Sequence, residues 1–230
     1  MRSILGIDSA SPRGSVALLV DGLLRAEAPL APGAHSSGLS SFAEQLSKSA
    51  GIPLSSLSGI AVSRGPGSFT GLRISLAWAK GLAMGASIPL VLVSAHEAAA
   101  HAAGDTTELR LTVTPGERAH VEIALWESPH PDEARGARPR PLEAPASIPE
   151  EELEARVRSL AAGRPFLSLP SNDAIAALLD DDDLPRRDPA PLAASVAMVG
   201  DALLRNGEAA DLVLAAPAYG RAPNARKPTP

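Results

Sequence analysis

The chain has 230 residues, enough for one large domain or two small ones around a sizeable core, and it carries a net charge of −5. That acidic balance excludes a broadly basic nucleic-acid-binding surface, so any RNA phosphates would be met by a basic partner. Cysteine is absent, which excludes disulfides and thiolate chemistry, and aromatics are only 3%, so the core must be built from Ala, Leu, Val and Ile.

No apolar run approaches the ~20 residues of a membrane span, and Asp8 interrupts the N-terminus too early for a signal-peptide core. A cytoplasmic protein without a membrane partner is expected.

The spacing predicts strands over 3–7 and 15–20, joined by the loop Ser9 to Gly14. Asp21-Gly22 is a strong hairpin signal leading into a third strand, 23–28. Asp8, at a strand end, would either hold a metal or water or cap the following loop, and capping is the commoner role. A helix is predicted over 35–50, with Leu39, Phe42, Ala43, Leu46 and Ala50 on one face and Gly51 and Pro53 as its stop. His35 has no second histidine four residues on, so it reads as a helix-flanking residue rather than a metal ligand.

A short strand, 59–63, then runs into Gly65-Pro66-Gly67-Ser68-Phe69-Thr70-Gly71 and an apolar helix over 71–85. Such a loop either cradles a phosphate, fits against a partner, or makes a sharp turn between strand and helix; its spacing matches neither a Walker loop nor a dinucleotide fingerprint. Ser68 or Thr70 would cap the helix. The helix has only Arg73, Ser75 and Lys80 as polar residues, so apolar side chains lie nearly all round it. One stripe would cover the sheet and another would need a second cover, for which a separate protein is the favoured candidate. Leu72, Leu76, Ala79 and Ala83 form one stripe; Ile74, Trp78 and Gly81 form the other. The sequence does not say which faces the sheet.

A strand at 89–93 completes a strand-helix-strand unit with parallel strands. Ser94 is placed to cap a helix over 95–103, and Gly104-Asp105 marks the break between halves. Strands are predicted over 109–114 and 119–126, the latter with His120 and Glu122 on a solvent face, followed by a proline-rich loop over 129–141. A helix over 149–162, a strand over 165–169, a helix over 172–179 capped by Ser171, and a final helix over 189–206 follow. The acidic run Asp180 to Asp183 reads as a solvated helix end rather than a metal site. The last residues, with Arg221, Arg226 and Lys227, read as a loose tail.

Placed in order, ILGIDSAS (Ile4 to Ser11), GSVALLVDG (Gly14 to Gly22), His35, RGPGSFTGLRI (Arg64 to Ile74), the Gly81 to Ala83 stretch and PAYGR (Pro217 to Arg221) resemble the TsaB, or YeaZ, family of bacterial tRNA threonylcarbamoyladenosine biosynthesis proteins. The motifs are dense over residues 1–95 and sparse afterwards.

The resemblance implies an α/β, two-lobed fold of the actin, sugar-kinase and Hsp70 type (ASKHA) with a shortened second lobe. The expected partition is 1–104, 105–216 and a tail, 217–230. It implies a non-catalytic subunit, not a peptidase, that pairs with the catalytic subunit TsaD, works with the ATPase TsaE, and meets tRNA through the complex. It also implies subunit contact through the first two helices, in the complex or in a homodimer. The expected interface residues are His35, Leu39, Phe42, Leu46, Leu72, Arg73, Leu76, Trp78, Ala79, Lys80 and Ala83. Asp8, Gly65, Pro66, Gly67, Ser68, Thr70 and Gly71 form the candidate nucleotide or partner contact.

No cofactor is expected to bind tightly, ATP or ADP with Mg²⁺ belonging to the complex. The His-x-x-x-His pair of the catalytic relatives is missing, since His96 and His101 are five apart. Thr114-Pro115-Gly116 stands where many relatives carry Asp-Ala-Arg. The rival reading is a stand-alone ATPase or phosphotransferase using Asp8 and the glycine loop.

Overall fold

The computed structural model describes residues 1–30, 37–104, 109–128, 137–161, 163–179 and 184–218. His35, Asp180 to Asp183 and the stretch from Tyr219 onward lie outside the described residues.

The first sheet begins as an antiparallel meander, β1 (Ser3–Asp8), β2 (Ser15–Val20) and β3 (Leu23–Pro29). Asp21 and Gly22 turn the β2–β3 hairpin with φ of 50° and 77°, the two positive angles a tight hairpin of matching twist requires. β4 (Gly59–Ser63) and β5 (Leu90–Val93) add in parallel beside β1, giving the order β3-β2-β1-β4-β5. Every residue of β1, β2 and β4 is buried, and their unbroken apolar runs already signal a sheet covered on both faces.

One face carries α1 (Ser37–Ala50) and α2 (Phe69–Ala86), whose Leu39, Ala43, Leu46, Leu76, Ala79 and Ala83 share a core with Leu5, Ile7, Leu18 and Val62. The opposite face carries α3 (Ala95–Ala102) and a helix from the far end of the chain.

The second sheet repeats the plan. β6 (Leu109–Pro115) pairs antiparallel with β7 (His120–Glu127), whose other edge takes β8 (Arg140–Pro141) and β9 (Ala146–Pro149). After α4 (Leu153–Ala161), β10 (Phe166–Pro170) joins β6 in parallel. Thus β9-β7-β6-β10 matches β3-β2-β1-β4 in order and direction. The fifth position is reduced to a bridge between Ser168 and Arg186. Two sheets on one plan, the second curtailed, make the α/β fold of the actin, sugar-kinase and Hsp70 type.

Several local expectations change. The proline-rich stretch before residue 141 ends in strand, because Arg140–Pro141 pairs with Trp126 and Glu127. Asn172, not Ser171, caps α5 (Asp173–Ala177), its side chain accepting from the Ile175 N–H at 2.9 Å. Ser94 occupies the cap position of α3 but its hydroxyl makes no cap bond.

The last helix, α6 (Ala193–Arg205), falls in the range expected for the second lobe yet packs on the first sheet. Small residues permit this: a Cβ on Gly6 would stand 2.7 Å from Ala197 Cβ, and one on Gly200 would crowd Ala61. Backbone approaches backbone where no side chain intervenes.

Candidate functional site

The glycine loop is built to receive its own chain. A Cβ on Gly67, whose φ is 152°, would stand 2.7 Å from the Ala10 carbonyl carbon and 2.8 Å from its Cα. One on Gly71 would run into the Ser9 carbonyl, and one on Gly65 would stand 2.9 Å from the Ala218 oxygen. The Ser68 N–H donates to Ala10 O at 2.7 Å, the Ser68 hydroxyl accepts from the Gly71 N–H at 3.2 Å, and the Leu72 N–H takes the Ser68 carbonyl at 2.9 Å.

These amides, which a phosphate would need, are spent on the β1–β2 loop and on capping α2. Between the alternatives the sequence left open, this geometry favours a sharp packing turn, and Ser68 rather than Thr70 is the cap.

Asp8 closes β1 with its side chain fully buried. One carboxylate oxygen accepts from the Ala10 N–H at 3.1 Å and the other from the Ser11 hydroxyl at 3.3 Å, which is the loop-capping arrangement. Burial pushes its carboxyl above the ordinary range, and the Ala10 amide and Ser11 hydroxyl hold the rise back. Among the described residues no three His, Asp or Glu side chains gather as a metal site would require.

Of the two stripes of α2 one is fully buried, while in the other only Gly81 is exposed and Ile74 and Trp78 are half-buried. Leu72, Leu76, Ala79 and Ala83 point into the first lobe and are buried, as are Leu39 and Leu46 of α1. These six expected interface residues therefore belong to the chain's own core. The outward face exposes Phe69, Arg73, Ala77, Gly81, Met84 and Gly85, with Ile74, Trp78 and Leu82 half-buried at its margins. Phe69 is 43% and Met84 67% exposed. Arg73 lies 3.7 Å over the Phe69 ring, which covers the first turn with a cation–π pair.

Lys80, expected at the interface, instead donates to the Ala215 carbonyl at 3.2 Å, tethering the segment that runs back beside α2 toward Ala218. Phe42 is half-buried against the first-lobe core. The outward positions of α1 (Ser41, Glu44, Gln45, Lys48 and Ser49) are polar and exposed, so the apolar surface is carried by α2.

A cavity of about 370 Å³ lies between the lobes. The first lobe lines it with Ser11, Gly67 and Ser68, the second with Thr112, Thr114, Glu122 and Ser171. Thr114-Pro115-Gly116 thus lies at its edge, at the end of β6.

Beside it sits a buried polar knot that sequence reasoning missed. The Thr112 hydroxyl donates to Ala124 O at 3.2 Å and accepts from Trp126 Nε1–H at 3.1 Å. Its single proton is thereby used, so His96 Nδ1, 2.8 Å away, must be the donor, and the bare nitrogen is Nε2. Burial lowers the His96 ring to about 4 and keeps it neutral. The knot ties α3 of the first lobe to β6 and β7 of the second. The signal available beforehand was the alternation in β6, which puts Arg110, Thr112 and Thr114 on one face, where polar side chains need partners once that face is covered.

The family model described as TsaD: tRNA N6-adenosine threonylcarbamoyltransferase matches residues 29–121. The tRNA threonylcarbamoyladenosine biosynthesis protein TsaB of Escherichia coli is 41% identical over 91 residues, 40% of this chain and 39% of that protein. TsaB of Haemophilus influenzae is 35% identical over 101 residues, 44% of this chain and 43% of that protein. The chain's match spans less than half the length of these curated relatives. The solved structure of YeaZ from Pseudomonas aeruginosa superposes with a TM-score of 0.79 at 22% identity, covering 95% of this chain and all of that one. The chain is thus similar to TsaB over less than half its length and shares the fold of YeaZ over nearly all of it.

Proposed function

We propose that the chain is a non-catalytic partner subunit in the formation of threonylcarbamoyladenosine on tRNA. It pairs with a TsaD-like catalytic subunit, works with a TsaE-like ATPase, and reaches tRNA through that complex. ATP or ADP with Mg²⁺ belongs, on this reading, to the assembly. The single observation that carries the proposal is the outward face of α2. Its inner stripe is spent on the first-lobe core, while Phe69, Ala77, Gly81 and Met84 remain exposed. Large apolar side chains presented beside small residues let another helix approach closely and bury area at ~25 cal/mol per Å², less the costs of association. Without the catalytic subunit, the same face would pair two copies of the chain.

The test is the threonylcarbamoyladenosine content of tRNA from cells that depend on this chain. Ala77→Glu, on the exposed stripe, is expected to abolish the modification while the purified variant keeps its melting temperature. Full modification with Ala77→Glu would overturn the assignment. Ala79→Glu, by contrast, buries a charge in the core and would report only on folding.

A further inference from the structure

Away from α2 and the terminal Met1, exposed large apolar side chains among the described residues lie in three places. Leu23 and Leu24 sit on the β2–β3 hairpin, Leu142 and Leu178 on the second lobe, and Val213 and Leu214 on a turn after α6. Val213 and Leu214 are 86% and 77% exposed, against 40% to 56% for the other four. We infer that this turn is a second anchor for the catalytic subunit that docks on α2, its two side chains seated in an apolar socket of that partner. The inference rests on the reading of α2 given above and adds to it a contact outside the helices.

The turn is built to hold these side chains outward. The Asp211 carboxylate accepts from the Val213 N–H at 2.7 Å and the Leu214 N–H at 3.4 Å, and the Ala215 N–H donates to Asp211 O at 2.8 Å. Both flanks are tied down. The Ala210 N–H donates to Leu90 O at 2.8 Å, Lys80 donates to Ala215 O at 3.2 Å, and the Ala218 N–H donates to Arg64 O at 2.7 Å. Ala210, Leu212 and Ala215 pack into the first-lobe core. Side chains ordered in advance cost little further conformational entropy when a partner covers them.

The turn continues the face of α2. From Ala210 beside the start of β5 to Ala218 beside the end of β4, the segment runs antiparallel to α2. Lys80 meets it at Ala215, so the residues just before Ala215 lie level with the next turn of the helix. Met84 stands there, four residues after Lys80 on the same side and 67% exposed. Area requires such an extension. An 18-residue helix is about 27 Å long and offers a face about 10 Å wide, roughly 270 Å², whereas a specific interface takes about 800 Å² from each partner. On its other flank α1 presents polar side chains, which suit a rim. The apolar part of the contact therefore extends toward Val213 and Leu214. Asp211, exposed at the start of the turn, favours a basic residue at the edge of the partner's socket.

Calorimetric titration of the full chain against the TsaD-like catalytic subunit, with sedimentation of the chain alone, tests this. Leu214→Ser and Val213→Ser should melt like the wild type, since both side chains are exposed. Each should weaken binding of the catalytic subunit roughly ten-fold or more, as expected when a buried aliphatic side chain is lost. Leu23→Ser, at the opposite edge of the first sheet, should bind like the wild type. The inference is overturned if both folded variants bind within about two-fold of the wild type while Ala77→Glu does not bind, a result that leaves the reading of α2 standing. It is equally overturned if they weaken only self-association of the chain, which would assign the turn to a second copy. Absence of binding by the wild type would overturn both readings.

Discussion

Gly67→Ala probes the reason for the glycine loop. The native φ of 152° lies where side chains are rarely accommodated, at a cost of about 1–3 kcal/mol. The new methyl would also stand 2.7 Å and 2.8 Å from backbone atoms of Ala10, which cannot swing away as a side chain could. Overpacking of this kind costs a further ~1–3 kcal/mol, so a total of roughly 2–6 kcal/mol is expected. For a chain of this size each kcal/mol shifts Tm by about 2–4 °C, so a fall of roughly 4–24 °C should appear in a thermal melt followed by circular dichroism. Gly81→Ala is the internal control. It lies within α2, and nothing stands within 4 Å of the added Cβ. It should hold or raise stability by up to ~1 kcal/mol on helix propensity. If Gly67→Ala melted within 2 °C of the wild type, the loop would not be held by packing on the β1–β2 turn, and a ligand role for its glycines would return.

The remaining expectations concern buried polar groups. His96, lowered to about 4 from an ordinary 6.5, contributes stability that is fully present above pH 6.5 and lost as pH falls toward 4, because the unfolded chain takes the proton first. The loss amounts to about 3 kcal/mol. His96→Asn, which retains a side-chain N–H for Thr112 and cannot titrate there, should flatten the pH dependence of denaturant unfolding between pH 7 and 4; parallel profiles would contradict it. Asp8, raised by burial, pays its desolvation cost as a carboxylate, and that cost is relieved as pH falls through its folded value. Asp8→Asn keeps the acceptor for the Ala10 N–H and should melt at or above the wild-type temperature at pH 7, whereas Asp8→Leu should melt lower. Loss of stability in Asp8→Asn equal to that in Asp8→Leu would show that the charge itself is needed. Thr112→Val should cost about 2–4 kcal/mol in the same assay, since it strands the Trp126 and His96 donors together; a loss below ~1 kcal/mol would mean the knot is not structural.

Local chemistry made much of the first lobe readable in advance. Asp21-Gly22 specified a hairpin, and unbroken apolar runs specified β1, β2 and β4, because turn angles and burial are decided by the residues concerned. What stayed hidden depends on partners distant in sequence. Both stripes of α2 are apolar, so only the sheet's position tells Leu72 and Ala79 from Ala77 and Gly81. Nothing near Gly200 announces that it meets Ala61, and so α6 reads as part of the second lobe until the sheets are assembled. β9 follows prolines and is only four residues long, too short for its alternation to register. The cavity wall was equally illegible, since Thr114 and Ser171 become neighbours only through the pairing of β6 with β10.

Gel filtration of this chain mixed with a TsaD-like catalytic subunit measures whether the exposed stripe of α2 recruits it, as proposed. Wild type should co-elute with the partner, and Ala77→Glu, folded by its melting curve, should elute apart from it. Co-elution of folded Ala77→Glu and of Gly81→Glu, indistinguishable from wild type, would contradict the account.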